Sequence, residues 1–272
     1  MQALFKSIKW SPALFSLGLA LLFAVPGWSQ ALDAEPSGAV ATAGQSDVPS
    51  VPELYRRYLE NNGGRANLAA LNTIAVTGVI ERGGAVSARF RVFQKRPNKM
   101  RMRMEFEAYT VETIFNGERG WREYISADGE RSAQELSEAV ILELKDEATI
   151  EGPFFRAARR PEALGPVTFD EVRGQPSVRI TCAAEAGIPH HTIWLSAENF
   201  QEVKVARNVP SESGEDILET VYFSEFDRID GIHLARKIEY FYDGALERTI
   251  RIENVRSNIG IFDHYFERVE SE

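Results

Sequence analysis

The 272-residue sequence is poor in the residues that usually carry chemistry: it has one cysteine and four histidines. A single cysteine, Cys182, rules out an intramolecular disulfide. It also lies far from the N-terminus, so it cannot receive a lipid anchor there. No CxxC, HExxH or GxSxG motif and no phosphate-cradling glycine loop occurs, which removes the commonest metal, hydrolase and nucleotide signatures. His190 and His191 are adjacent on an expected strand, so they point to opposite faces and cannot share a metal. Asp227 and Asp230 suit a hairpin turn better than a calcium loop. No metal or cofactor is expected, and no enzymatic role. An enzyme would instead show a compact cluster of titratable groups in a pocket.

Long apolar runs are also missing beyond residue 31. Before it, Lys6 and Lys9 precede an apolar run from Ala13 to Val25, broken by Pro26-Gly27 and followed by Ser29-Gln30-Ala31. This is the plan of a cleavable secretory signal, with an apolar segment shorter than the roughly 20 residues of a spanning helix. Cleavage after Ala31 would leave 29 basic against 40 acidic residues, a net charge of −11. Such a balance disfavours nucleic acid and anionic lipid surfaces as partners. The expected product is soluble, secreted across an inner membrane, not lipid-anchored and monomeric.

Residues 32–52 are rich in Ala, Ser, Gly and Pro without apolar period, as in a flexible linker. Residues 53–272 contain no second linker and no repeat, and are expected to form one domain. A helix is predicted over Pro52–Asn62, ended by Gly63-Gly64, with a short turn over Ala66–Leu71. The period then becomes two. Ile74, Val76 and Ile80 alternate with polar neighbours, as do Val86, Ala88, Phe90 and Val92, and turn signals such as Asn116-Gly117 and Asp243-Gly244 separate the strands.

Met100, Met102, Met104 and Phe106 alternate with Arg101, Arg103, Glu105 and Glu107. One face of this strand is therefore apolar and the other charged. All three methionines other than the initiator lie on that face, where unbranched thioethers can repack around flexible acyl chains or around the protein's own helices. Arg89, Arg91, Arg101 and Arg103 are expected on the solvent side, paired with Glu105, Glu107 and Glu112. Ser132 and Glu135 read as a capping box opening a helix with Leu136, Val140, Ile141 and Leu144 as its apolar stripe. A shorter amphipathic piece follows Gly152-Pro153, carrying Phe154 and Phe155 as a candidate lid. Cys182 alternates with Val178 and Ile180, as a buried small residue would.

The expected architecture is α+β and mainly antiparallel: a curved half-open β-barrel of about ten or eleven strands with helices at its concave side. The candidate apolar cavity is lined by Met100, Met102, Met104, Phe106, Phe90, Val92, Phe154 and Phe155.

Short motifs spread from about residue 53 to 269 strengthen this reading. They are Tyr55, Tyr58-Leu59 and Gly63-Gly64; Arg96-Pro97-Asn98-Lys99 before Arg101; Asn116-Gly117 with Gly120-Trp121; Asp230-Gly231-Ile232; and Asn258-Ile259-Gly260-Ile261 with Phe262 and Phe266. In order and coverage the chain resembles the LolA-like family of periplasmic outer-membrane lipoprotein-sorting proteins. The resemblance implies an incomplete barrel whose cavity shields lipid or lipoprotein acyl chains in the periplasm, and partners among inner- and outer-membrane carrier machinery. It carries over no individual site residue. A sensor or protein-interaction module on the same scaffold is the alternative, separable by whether the protein binds lipid or a protein partner.

Overall fold

The computed structural model describes residues 48–183, 190–211 and 215–268. The signal and most of the linker expected for residues 1–52 lie outside the described residues. Helix α1 (Val51–Asn61) is capped by Ser50 and has Pro52 in its first turn, where a missing N–H costs nothing. Gly63, at φ 101°, ends it and opens α2 (Gly64–Ala70). A Cβ at Gly63 would lie 2.0 Å from the Gly231 carbonyl oxygen, so glycine is required both for the left-handed turn and for contact with the Asp230-Gly231 turn.

Among the described residues, thirteen antiparallel strands form one sheet. They are β1 (Thr73–Arg82), β2 (Ala85–Lys95), β3 (Lys99–Glu105), β4 (Tyr109–Phe115), β5 (Gly120–Ser126), β6 (Arg131–Glu135), β7 (Leu164–Val172), β8 (Gln175–Cys182), β9 (Thr192–Ser196), β10 (Glu202–Pro210), β11 (Asp216–Ile229), β12 (Ile232–Tyr242) and β13 (Ala245–Ser257). Their order is β6-β5-β4-β3-β2-β1-β13-β12-β11-β10-β9-β8-β7. The first and last strands therefore pair at the centre, and each half walks outward as a meander. The two edges, β6 and β7, are joined by helices α3 (Glu138–Glu147) and α4 (Pro153–Ala158).

This count corrects the expected ten or eleven strands. The two additional strands are the edges. Ser132 and Glu135 do not form a capping box: they belong to β6 and pair with Tyr124 and Trp121, and the helix starts later, at Glu138. The expected stripe survives, with Leu144 buried and Leu136, Val140 and Ile141 packed on the same core.

The sheet curls. Glu147 of α3 lies within electrostatic reach of Arg122 on β5 and Arg207 on β10, eight strand positions apart. Along a flat sheet those strands would be separated by about 38 Å at the usual strand spacing. One carboxylate can feel both only if the halves of the sheet turn toward each other.

On the inner face, Met100, Met102 and Met104 pair with Gln94, Val92 and Phe90 of β2 and with Phe115, Thr113 and Val111 of β4. On the outer face, Arg101 forms a two-pronged pair with Glu112 (3.0 and 2.9 Å) and Arg103 pairs with Glu105 at 2.8 Å. That face is not all solvent. The C-terminal turn Asp263–Phe266 lies against β3, with the Arg101 guanidinium 4.8 Å from the Tyr265 ring centre and Phe266 fully buried. Among the described residues no helix is long and apolar enough to cross a membrane.

Candidate functional site

The concave side is occupied by the protein's own helices. Met100, Met102 and Met104 are 0%, 3% and 2% exposed, and Phe90, Val92 and Phe154 are equally buried, all within one continuous core. Phe106 sits just past β3, partly buried at the margin of that core and stacked on Tyr109. Gln94 stands in the row of Met100 and donates through Nε2 to the carbonyls of Glu147 (2.9 Å) and Thr149 (3.2 Å). It thereby satisfies carbonyls that the end of α3 leaves without helical partners.

A cavity of about 130 Å³ remains beneath α1, α2 and the segment before α4. Its walls are largely aliphatic and aromatic: Leu68, Leu71, Ile74, Val76, Phe223, Ile238, Ile252 and Val255, with Tyr58, Gln94, His233 and Glu202 as polar points. Of the eight residues expected from the sequence to line a cavity, Phe155 borders this one. Phe155 and Leu68 also line an outer hollow of about 360 Å³ with Tyr55, Arg65, Arg96 and Arg159, so they form the partition between cavity and surface. Phe154 and Phe155 divide as adjacent aromatics on a short helix must. Phe154 packs edge-on against Tyr58 (5.3 Å between ring centres), and Phe155 tilts against Tyr55 (5.8 Å).

One carboxylate fastens this cover. Glu202 accepts the Phe154 backbone N–H at 2.5 Å, and the Phe155 N–H and Tyr58 hydroxyl also donate to it. Gly152 makes room, since a Cβ there would meet the Glu202 carboxylate at 2.3 Å. Burial pushes the Glu202 carboxyl up to about 7 against these stabilising donors. Glu202 turns inward because the β9–β10 register shifts between Glu202 and Lys204, a bulge that re-aims one side chain. Strand alternation in the sequence could not reveal that.

Sequence reasoning also missed a buried polar cluster. Val205, Val221, Ile238 and Ile250 face inward on β10 to β13. One alternation step further on each strand stand Arg207, Glu219, Tyr240 and Arg248, all 0–2% exposed. Arg207 and Glu219 are register partners joined at 2.6 Å, and the Arg248 guanidinium lies 4.0 Å from the Tyr240 ring centre. Across from them, Arg207 faces Glu143 and Glu147 of α3 and His190. Burial pushes Glu143 up to about 7 and Glu147 well above the ordinary carboxylate range, and holds His190 neutral. Among the described residues, Arg207 Nη1, Glu219 Oε2, Glu147 Oε1 and both His190 ring nitrogens have no hydrogen-bond partner. The signal available in the sequence was a charge or a tyrosine hydroxyl on the apolar parity of four successive strands.

His190 and His191 lie just before β9 rather than on the expected strand, and His191 Nδ1 contacts the Thr192 hydroxyl at 2.9 Å. Asp227 pairs with Arg236 at 2.8 Å, and Asp230 occupies the hairpin turn at φ 48°. Cys182 is buried, and burial raises its thiol to about 12. Among the described residues no group of three His, Cys, Asp or Glu side chains could hold a metal ion.

The fold and site define an open, curled antiparallel sheet whose edges are bridged by helices over an apolar cavity. No protein-family model matches the chain, and no curated protein matches it. Solved structures do. A DUF1329 family protein from Desulfovibrio piger is 13% identical at a TM-score of 0.48, covering 80% of this chain and 97% of that one. A protein from Vibrio parahaemolyticus, named as an outer membrane lipoprotein-sorting protein domain, is 10% identical at 0.47, covering 79% and 94%. A LolA superfamily protein from Nitrosomonas europaea is 12% identical at 0.48, covering 81% and 98%. Two of the three carry the name of the family that the sequence motifs resemble. At these scores they say what the chain path is similar to, and the functional argument rests on the chain's own residues.

Proposed function

We propose that the protein binds an apolar, acyl-chain ligand on the concave side of its sheet and carries it through the periplasm. Membrane-bound partners would load and unload it, and the protein itself would diffuse freely. The observation that carries this reading is the apolar cavity beneath a cover fastened at few polar points. Its 130 Å³ falls below the roughly 300 Å³ at which ligand pockets begin. On this reading the described conformation is the closed one, and an acyl chain enters when α4 and the segment before it lift. The methionine floor, continuous with the cavity wall through Gln94 and Val76, then becomes part of the site.

The test is organic extraction of the purified protein followed by mass spectrometry, together with titration of a fluorescent fatty-acid probe. Co-purified lipid and saturable binding are expected. Their joint absence refutes a lipid carrier. A second reading, a protein-interaction module, is favoured by β6, an edge strand exposed along its whole length that could pair with a partner strand. A stoichiometric protein partner bound without lipid dependence would select it.

A further inference from the structure

We propose that the outer hollow between α2 and α4 receives the oxyanion head, a phosphate or carboxylate, of an amphiphile whose tail passes Phe155 into the cavity beneath. This rests on the acyl-chain reading above and adds the place and chemistry of the headgroup. The hollow holds about 360 Å³, within the roughly 300–1,000 Å³ of ligand pockets. Leu68, Glu151 and Phe155 line both the hollow and the cavity, so the wall between the two is a single layer of side chains.

Three guanidinium groups, Arg65, Arg96 and Arg159, line the hollow with one carboxylate, Glu151. Arg96 is already committed. It pairs with Glu151 at 2.5 Å and donates to the Leu68 and Leu71 carbonyls at 2.9 and 2.5 Å. Arg65 on α2 and Arg159 at the end of α4 are exposed, and among the described residues neither is ion-paired to a carboxylate. Two positive charges are therefore left at the lips of a concave site, on a chain whose net charge is −9. A cleft of one sign between apolar walls, here Tyr55, Leu68 and Phe155, concentrates its field on a counter-ion. Arginine's planar fork matches the oxygens of phosphate and carboxylate.

The two spaces orient the ligand. Behind Phe155 the walls are Leu71, Ile74, Val76 and Phe223, where a charged head would lose its water without a partner. The head stays in the hollow and the tail takes the cavity. Phe155 and Arg159 are four residues apart, which places them on one side of α4, and the Arg159 guanidinium stands 5.9 Å from the Phe155 ring centre. A head bound at Arg159 therefore acts on the same turn that carries the partition.

The experiment is calorimetric titration of the purified protein at pH 7.5 with decyl phosphate, decanoate, decanol and inorganic phosphate. It is repeated on the Arg65→Gln/Arg159→Gln double variant, whose two positions are exposed and so leave the core intact. A second double variant, Arg89→Gln/Arg91→Gln, removes two exposed charges from β2 instead. Decyl phosphate and decanoate are expected to bind at least about tenfold tighter than decanol. The Arg65/Arg159 variant should bring both to the affinity of decanol without changing that of decanol, and the β2 variant should keep the preference. Equal affinity for decyl phosphate and decanol in the unaltered protein overturns the headgroup site and leaves the acyl-chain reading standing. A preference undiminished in the Arg65/Arg159 variant, or lost equally in both variants, overturns the site as well. Inorganic phosphate bound through Arg65 and Arg159 without any ten-carbon ligand supports the oxyanion site with a free anion as occupant and overturns the acyl-chain reading. No binding of any kind refutes both.

Discussion

Glu202 on β10 accepts the Phe154 backbone N–H at 2.5 Å, so a single carboxylate from the sheet holds the first turn of the helix that covers the cavity. An anion at a helix N-terminus is favoured by the dipole and the free N–H groups. Here burial works against that anion and raises its carboxyl to about 7.

The sign of the pH dependence follows. A carboxyl whose folded value lies above its ordinary 4.5 binds its proton more tightly in the folded state, so stability falls as pH rises from about 4.5 to about 7. Glu143 acts in the same direction over the same window. Glu202 keeps some contact with the cavity space, so its share is about 1–2 kcal/mol rather than the roughly 3 kcal/mol of an isolated shift of that size. Urea midpoints should be higher at pH 5.5 than at pH 8, and Glu202→Gln should flatten the slope. An unchanged slope in that variant would show that Glu202 does not titrate in this window.

Gly152→Ala should loosen the cover selectively. The new methyl group would meet the Glu202 carboxylate at 2.3 Å, and backbone on one side with a buried acid on the other leaves little room to yield. The amides of Phe154 and Phe155 should exchange hydrogen faster, while those of β1 and β13 at the sheet centre keep their protection. Probe association should speed up if opening limits entry. Uniform loss of protection across the sheet would mean global destabilisation and would argue against a separately moving cover.

How much of this was legible beforehand depended on locality. The inner face of β2 and β3 could be read residue by residue, because alternation alone assigns Phe90, Val92 and the three methionines to one side. The edge strands could not. β6 (Arg131–Glu135) is exposed throughout and has no alternation to show, and β7 begins across Gly165-Pro166, which reads as a break. The polar cluster assembles from β5, β10 to β13, α3 and His190, which meet only because the sheet curls. Val205 and Arg207 share a parity that was visible, but the carboxylates awaiting Arg207 on α3 were not. Glu202 was hidden for a different reason: a bulge reverses the side that simple alternation would assign.

Cys182 offers a probe of opening that needs no ligand. Its thiol is buried and raised to about 12, and only the thiolate reacts. At pH 8 the thiolate fraction should be about a thousandfold lower than in an unfolded chain, where the value is about 8.5. Alkylation of the native protein should be slower than that of denatured protein by about this factor. Comparable rates would place Cys182 in an open conformation for much of the time.

The Arg207–Glu219 pair makes the sharpest prediction about stability. Its side chains are 3% and 0% exposed, so each charge has lost its water and depends on the other. Arg207→Met alone leaves Glu219 buried without its bonded partner and should cost about 3–5 kcal/mol. Replacing both by methionine removes the two desolvation costs together and should restore most of that loss, or exceed the unaltered protein by about 1–4 kcal/mol. Denaturant unfolding of the single and double variants measures the difference. A double variant as unstable as the single one would mean that Arg207 serves the rest of the cluster more than it serves Glu219. Glu147 and His190, the other groups facing it, would then be the next positions to replace, each tested for whether its removal lowers the cost of Arg207→Met.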